Sequence, residues 1–194
     1  MIVATANANE PVDKNILILG DSLSAGLGVN YDQAWPSLLQ SRINKIGASY
    51  RVINAGVSGD TTSGGISRLP RLLKKYSPEI LILELGGNDG LRGTSLKAIE
   101  KNLRDMINSA QSNDITVILI GVQLPPNYGV LYTEGFENIF SDLAKEYSLG
   151  LIQGSLKTMV NEGLMQSDGI HPNVPGHRQI ESIVWELLKK YLEK

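Results

Sequence analysis

The 194-residue sequence predicts an α/β fold built on a parallel sheet. Three features carry that reading. Short apolar runs alternate with stretches of helical period from end to end, which is the pattern of βαβ units. Three of the runs are almost continuously apolar, as strands covered on both faces must be. Gly-rich loops around Gly20, Gly59 and Gly86 each follow a run, and in open α/β sheets ligands bind beyond the carboxyl ends of the strands.

The expected strands are residues 16–19, 50–54, 80–85, 116–121 and 149–152. The first, third and fourth are the apolar ones, so they belong at the centre of the sheet. Between strands two and three, Ile66, Leu69, Leu72, Leu73 and Tyr76 recur at helical spacing, and Leu96, Ile99, Leu103, Met106, Ile107 and Ala110 do so between strands three and four. A last helix begins after Pro172 and Pro175 and carries Ile180, Ile183, Val184, Leu187, Leu188 and Tyr191. It closes in Lys189 and Lys190, and basic residues suit a helix C-terminus. No repeat, low-complexity tract or linker divides these elements, so one domain is expected over 15–194. Residues 1–14 form either a disordered start or the remnant of a signal peptide, since Ala4-Thr5-Ala6 and Ala6-Asn7-Ala8 resemble an A-x-A cleavage end. On that hint the protein is expected to be exported, to the periplasm or beyond.

A hydrophobic content of 42% with 20% charged residues is that of a chain able to bury a core. Lys and Arg number 18 against 20 Asp and Glu, so there is no basic field to hold a nucleic-acid backbone. No apolar run approaches the roughly 18 to 20 residues needed to cross a bilayer. Cysteine is absent, which removes disulfides and thiolate chemistry without fixing a compartment. A monomer is expected, although the sequence does not fix the state.

The first strand is followed by Gly20-Asp21-Ser22-Leu23-Ser24, which places a hydroxyl on a turn where a nucleophile is rigid and exposed. Alone, the pentapeptide reads equally as a βα turn with Asp21 or Ser22 capping a helix. A serine nucleophile needs a base, normally a histidine oriented by a carboxylate. Only two histidines exist. His171 lies in Asp168-Gly169-Ile170-His171-Pro172-Asn173, where Asp168 is three residues away and Pro172 keeps His171 out of helical backbone. His177 falls inside the last helix and reads as a solvated surface residue. Acyl transfer also requires donors for the developing oxyanion. The loops Ser58-Gly59-Asp60-Thr61 and Leu85-Gly86-Gly87-Asn88-Asp89-Gly90 offer a glycine N–H and an asparagine amide. Each is an ordinary turn taken singly, but four such loops at one sheet edge are not a common accident.

Together these blocks resemble the SGNH, or GDSL, hydrolases. The segments 20–26, 54–61, 84–93 and 168–173 are similar to the bacterial branch of multifunctional thioesterases, lysophospholipases and arylesterases, and the resemblance runs from about residue 16 to the last helix. It implies a three-layer α/β/α fold with a flavodoxin-like five-stranded parallel sheet, no metal or other cofactor, and a shallow open site for small acyl esters or thioesters. It further implies Ser22 as nucleophile, Asp168 and His171 as the rest of the triad, and Gly59, Asn88 and the Ser22 N–H as oxyanion donors. Gly90, Leu91, Leu124, Pro125 and Tyr128 fall in segments that shape acyl binding in the family, while Leu91, Val130 and Leu131, read as apolar loop residues, favour a fatty or aromatic acyl group. A carbohydrate O-deacetylase is the rival within the family, and a non-catalytic binding module the rival outside it. A metal hydrolase has less support, because two histidines six apart without an H-E-x-x-H helix form no recognisable ligand set.

Overall fold

The computed structural model describes residues 14–153, 159 and 162–192. Alternate residues of a strand face opposite sides of its sheet, and here both sides are apolar. Leu17, Leu19, Leu81, Leu83 and Leu119 point into one buried cluster, and Ile16, Ile18, Ile80, Ile82 and Ile118 into another. The near-continuous apolar runs are thus two interleaved stripes, each awaiting a helical layer. At about 1.5–3 kcal/mol for each fully buried Leu or Ile side chain, covering both stripes drives the three-layer arrangement.

The strands are β1 (Lys14–Gly20), β2 (Tyr50–Asn54), β3 (Ile80–Glu84), β4 (Thr116–Ile120) and β5 (Gly150–Ile152). They form one sheet in the order β2-β1-β3-β4-β5, with every neighbouring pair parallel. The three apolar strands are central, as expected, and the observed ends differ from the expected ones by no more than two residues. β1 starts at Lys14, the last residue of the segment expected to precede the domain; the A-x-A steps lie outside the described residues.

Seven α-helices are present among the described residues: α1 (Ser22–Ala25), α2 (Trp35–Lys45), α3 (Thr62–Tyr76), α4 (Gly87–Leu91), α5 (Leu96–Gln111), α6 (Val130–Glu146) and α7 (Val174–Leu188). Helices α3, α5 and α6 cover the leucine face through Leu69, Leu103 and Phe136, and α2 and α7 cover the isoleucine face through Trp35, Leu39, Val184 and Leu188. The three helices anticipated from periodicity are α3, α5 and α7.

Two long helices were not anticipated. α2 opens on Trp35-Pro36 and buries Trp35, Leu39 and Ile43 at four-residue spacing. α6 buries Phe136, Ile139, Phe140, Leu143 and Ala144, a full helical stripe. Val130 and Leu131 are therefore not loop residues. They form the first turn of α6 and are 67% and 89% exposed, because the helix turns its apolar face inward only from Phe136 onward.

His177 is the clearest departure. It is fully buried, not solvated, and its Nδ1 accepts the Trp35 N–H at 3.3 Å. The inward stripe of α7 runs Gly176, His177, Glu181, Val184 and Leu188. Extending the i, i+4, i+7 row two turns back from Val184 through Glu181 finds His177 on the core face. Tyr191, expected at the end of that stripe, lies past the helix and is exposed.

Candidate active site

The carboxyl ends of β1, β2 and β3 lead into loops at one edge of the sheet, and the segment before α7 joins them. Just after β1, Asp21 caps α1 by accepting the Leu23 N–H at Oδ1 (3.0 Å). The cap leaves Ser22 as the first residue of a one-turn helix, where the N–H groups have no acceptor within the helix. Its hydroxyl meets His171 Nε2 at 2.9 Å.

The His171 ring is held from its far side by Asp168, with Nδ1 and Oδ2 2.7 Å apart. The second carboxylate oxygen, Oδ1, accepts the N–H groups of Ile170 (2.9 Å) and His171 (3.0 Å). Those backbone bonds, led by the one from His171, and the bond to the ring hold the Asp168 carboxyl down to about 2. It therefore remains an acceptor at any working pH. The loop is bound to the nucleophile turn by Gln166, whose Nε2 donates to the carbonyls of Leu27 (2.7 Å) and Pro172 (2.8 Å). Asn173 closes the loop by capping α7 at Gly176 N. Gln166 was not singled out in the sequence; an amide side chain gives no pattern that reveals a backbone partner 139 residues away.

The loop after β2 is packed against the nucleophile turn. Val57 N–H donates to the Gly20 carbonyl (3.0 Å), and Asn54 Nδ2 to that of Ser24 (2.8 Å). A side chain at Gly56 would place Cβ 2.5 Å from Ala25 N, so only glycine permits this approach. Gly59 follows with φ +79°, backbone that L side chains rarely adopt. Arg68 clamps the neighbouring Asp60 and the Ala55 carbonyl, and Arg92 donates to the Gly59 carbonyl at 3.1 Å.

Past β3, Asn88 lies in the first turn of α4, and its Nδ2 donates to Asp21 Oδ2 at 2.9 Å. An amide carries two hydrogens, so this bond fixes the group and leaves one hydrogen to donate elsewhere. Asp21 is almost entirely buried, and burial pushes its carboxyl up. The Leu23 N–H, the His171 charge and the Asn88 amide oppose that shift.

The expected acyl-binding residues are only partly a surface. Gly90 and Leu124 are buried against each other, Leu91 and Tyr128 are tied by the Tyr128 hydroxyl on the Leu91 carbonyl (3.0 Å), and Pro125 is exposed. A wider cleft of about 350 Å³ lies at the amino ends of β4 and β5, beside Asp114, Thr116, Gly150 and Tyr191 and away from Ser22. No described group of three or more His, Asp or Glu is placed to hold a metal ion. None of the described helices is long and apolar enough to cross a membrane.

A parallel α/β sheet with a hydroxyl, an imidazole and a carboxylate in series at its carboxyl edge defines a class of hydrolytic fold. Residues 18–179 match the GDSL-like lipase/acylhydrolase family, and the chain belongs to it. The chain is 42% identical to the esterase TesA of Pseudomonas aeruginosa over 92% of its own length and 90% of the relative's. It is 37% identical to an arylesterase of Vibrio mimicus, covering 96% and 94% of the two chains. With the thioesterase 1/protease 1/lysophospholipase L1 of Escherichia coli it shares 39% identity over 92% and 83%. Among solved structures, TesA superposes with a TM-score of 0.88 over 92% of this chain and all of that one, at 42% identity. The esterase EstA of a Pseudoalteromonas species, inhibited by monoethylphosphonate, gives 0.87 at 34% identity over 92% and 98%. The chain is thus a carboxylic ester hydrolase of the SGNH type.

Proposed function

We propose that the chain hydrolyses small acyl esters and thioesters through an acyl-enzyme on Ser22, with His171 as general base and acid and Asp168 as its orienting carboxylate. The observation that carries this reading is the unbroken series Ser22 Oγ, His171 Nε2, His171 Nδ1 and Asp168 Oδ2, at 2.9 and 2.7 Å. Ser22 Oγ attacks the acyl carbon as its proton passes to His171 Nε2. The oxyanion that forms is met by the N–H groups of Ser22 and Gly59 and by the free hydrogen of the Asn88 amide. His171 then returns the proton to the departing alcohol or thiol, and a water attacks the acyl-enzyme by the same route.

Esters and thioesters share the acyl carbonyl and differ in the leaving atom, which this machinery does not have to recognise. That tolerance agrees with relatives named esterase, arylesterase and thioesterase. The acyl group would lie along Gly90, Leu91, Leu124, Pro125 and Tyr128. Export to the periplasm belongs to the same proposal and rests on the A-x-A steps and on the relatives' family; cell fractionation tests it.

An active-site-directed fluorophosphonate tests the centre. The wild-type protein is labelled and loses turnover, and a folded Ser22→Ala protein is neither labelled nor active. Esterase activity retained by Ser22→Ala sinks the assignment. An acyl-length series of p-nitrophenyl esters then ranks the substrates.

A further inference from the structure

One acidic side chain beneath the nucleophile turn has no part in the chemistry above. Glu84 ends β3 in register with Gly20, the residue that ends β1, so its side chain lies directly under the turn that carries Ser22. It is buried to 1% exposure. One carboxyl oxygen, Oε2, accepts both the Asp21 N–H (3.2 Å) and the Ser24 hydroxyl (2.8 Å). These donors flank Ser22 on either side, so a single oxygen fixes the turn at two points.

The other oxygen, Oε1, is buried without a hydrogen-bond partner. Glu84 borders a cavity of about 20 Å³ lined chiefly by Trp35, Ile120, Val122, Ile152, Ile180 and Val184, all apolar, from α2, α7 and the carboxyl ends of β4 and β5 with the residues just past β4. Such a space holds about one water, which is far too little to solvate an anion. No cation is ion-paired to Glu84 among the described residues. The charged neighbour is a second carboxylate, Asp21, itself under the influence of Asp60 and His171.

Two carboxyl groups that repel one another in a buried setting do not both ionise readily. Asp21 has the better claim to the charge, because each of its oxygens accepts a donor, the Leu23 N–H and the Asn88 amide, whereas one Glu84 oxygen accepts none. We propose that Glu84 is a positioning residue that works as a neutral carboxylic acid, pinning the nucleophile turn through Asp21 N and Ser24 Oγ while leaving the negative charge to Asp21, which holds the Asn88 amide. Burial, and after it the Asp21 charge, pushes the Glu84 carboxyl well above the usual carboxylate range, in the same sense. Ionising Glu84 would press the proton onto Asp21 and weaken the charge-assisted bond that aims Asn88.

This role rests on the proposed active site, but its first test does not depend on turnover. Infrared spectra of the wild type at neutral pH should contain the carbonyl band of a protonated carboxylic acid, and Glu84→Gln should remove it. Glu84→Gln copies the neutral acid, with a carbonyl for the two donors and an NH₂ in place of the O–H. In a p-nitrophenyl ester assay, Glu84→Ala should lower kcat by up to about 10²-fold with KM nearly unchanged, the cost of a nucleophile displaced by around an ångström. Glu84→Gln should recover most of that loss. If no protonated-acid band disappears in Glu84→Gln, or if the glutamine variant loses as much kcat as the alanine variant, the neutral-acid role is wrong. Fluorophosphonate labelling of Ser22 in each variant separates that failure from a failure of the active-site assignment.

Discussion

His177 should make the stability of the fold depend on pH, by an amount that follows from its burial. His177 lies in the core, with Nδ1 accepting the Trp35 N–H and Nε2 buried without a partner. Burial, and to a smaller degree the charge of His171, lowers it from 6.5 to about 4. Above pH 6.5 both folded and unfolded chains carry the neutral ring and the full stability is present. As pH falls toward 4 the unfolded chain takes up a proton that the folded chain refuses, so stability drops, and below 4 the loss levels off. A gap of about 2.5 units is worth about 3 kcal/mol. For a protein of this size that is a fall in Tm of about 6–12 °C.

The assay is thermal or urea unfolding from pH 7 to pH 4, comparing wild type with His177→Gln, whose amide oxygen still accepts the Trp35 N–H but does not titrate. Asp21, Glu84 and Glu181, all raised by burial, act in the opposite direction in both proteins and cancel in the difference. The wild type should lose about 3 kcal/mol more than the variant over this window. Parallel curves for the two proteins would refute the burial argument.

Three further outcomes are expected. Asn88→Ala should lower kcat by about 10²- to 10³-fold with little change in KM, since the amide meets charge present only in the transition state; a loss confined to KM in steady-state kinetics would move Asn88 to substrate binding. Asp168→Asn should keep its side-chain oxygen on the Ile170 and His171 amides and turn an N–H toward the ring, favouring the wrong tautomer, so kcat should fall by up to about 10⁴-fold; because the carboxyl is held down to about 2, Asp168 itself should add no inflection to a pH-rate profile between 5 and 8. Gln166→Ala removes both bonds that join the acid-base loop to Leu27 and Pro172 and should slow labelling of Ser22 by fluorophosphonate; labelling at the wild-type rate would show that the loop holds its place without it.

The sheet was legible because its strands are interleaved Leu and Ile stripes whose apolar runs cannot be solvated. The missed helices have different explanations. α2 begins with Trp35-Pro36, whereas α6 opens with the exposed Val130 and Leu131, which reads as an irregular apolar loop until Phe136 begins the stripe. Of the site candidates, Ser22, Gly59 and Asn88 stand out in the sequence as distinctive residues in loops after apolar runs, and Asp168 and His171 as an acid-base pair in the loop before the last helix. The supporting contacts do not. Glu84 is one polar residue within the expected strand 80–85, and nothing in the sequence shows that Ser24 is fully buried on it. Partners separated by 60 residues become visible only once register aligns Gly20 with Glu84.

The Asp168 to His171 segment has a consequence for how this site breaks. Its carboxylate binds two amides and the ring of its own tetrapeptide, so the pair travels as one prefabricated part. Damage elsewhere in the fold, at Gln166, at the α7 cap or in the core under His177, would carry acid and base together away from Ser22 and leave their mutual geometry intact. Distant destabilising substitutions should therefore produce enzymes that retain an Asp168-paired imidazole yet fail to activate the serine, and the gap to watch in such variants is the one of 2.9 Å between Nε2 and Oγ.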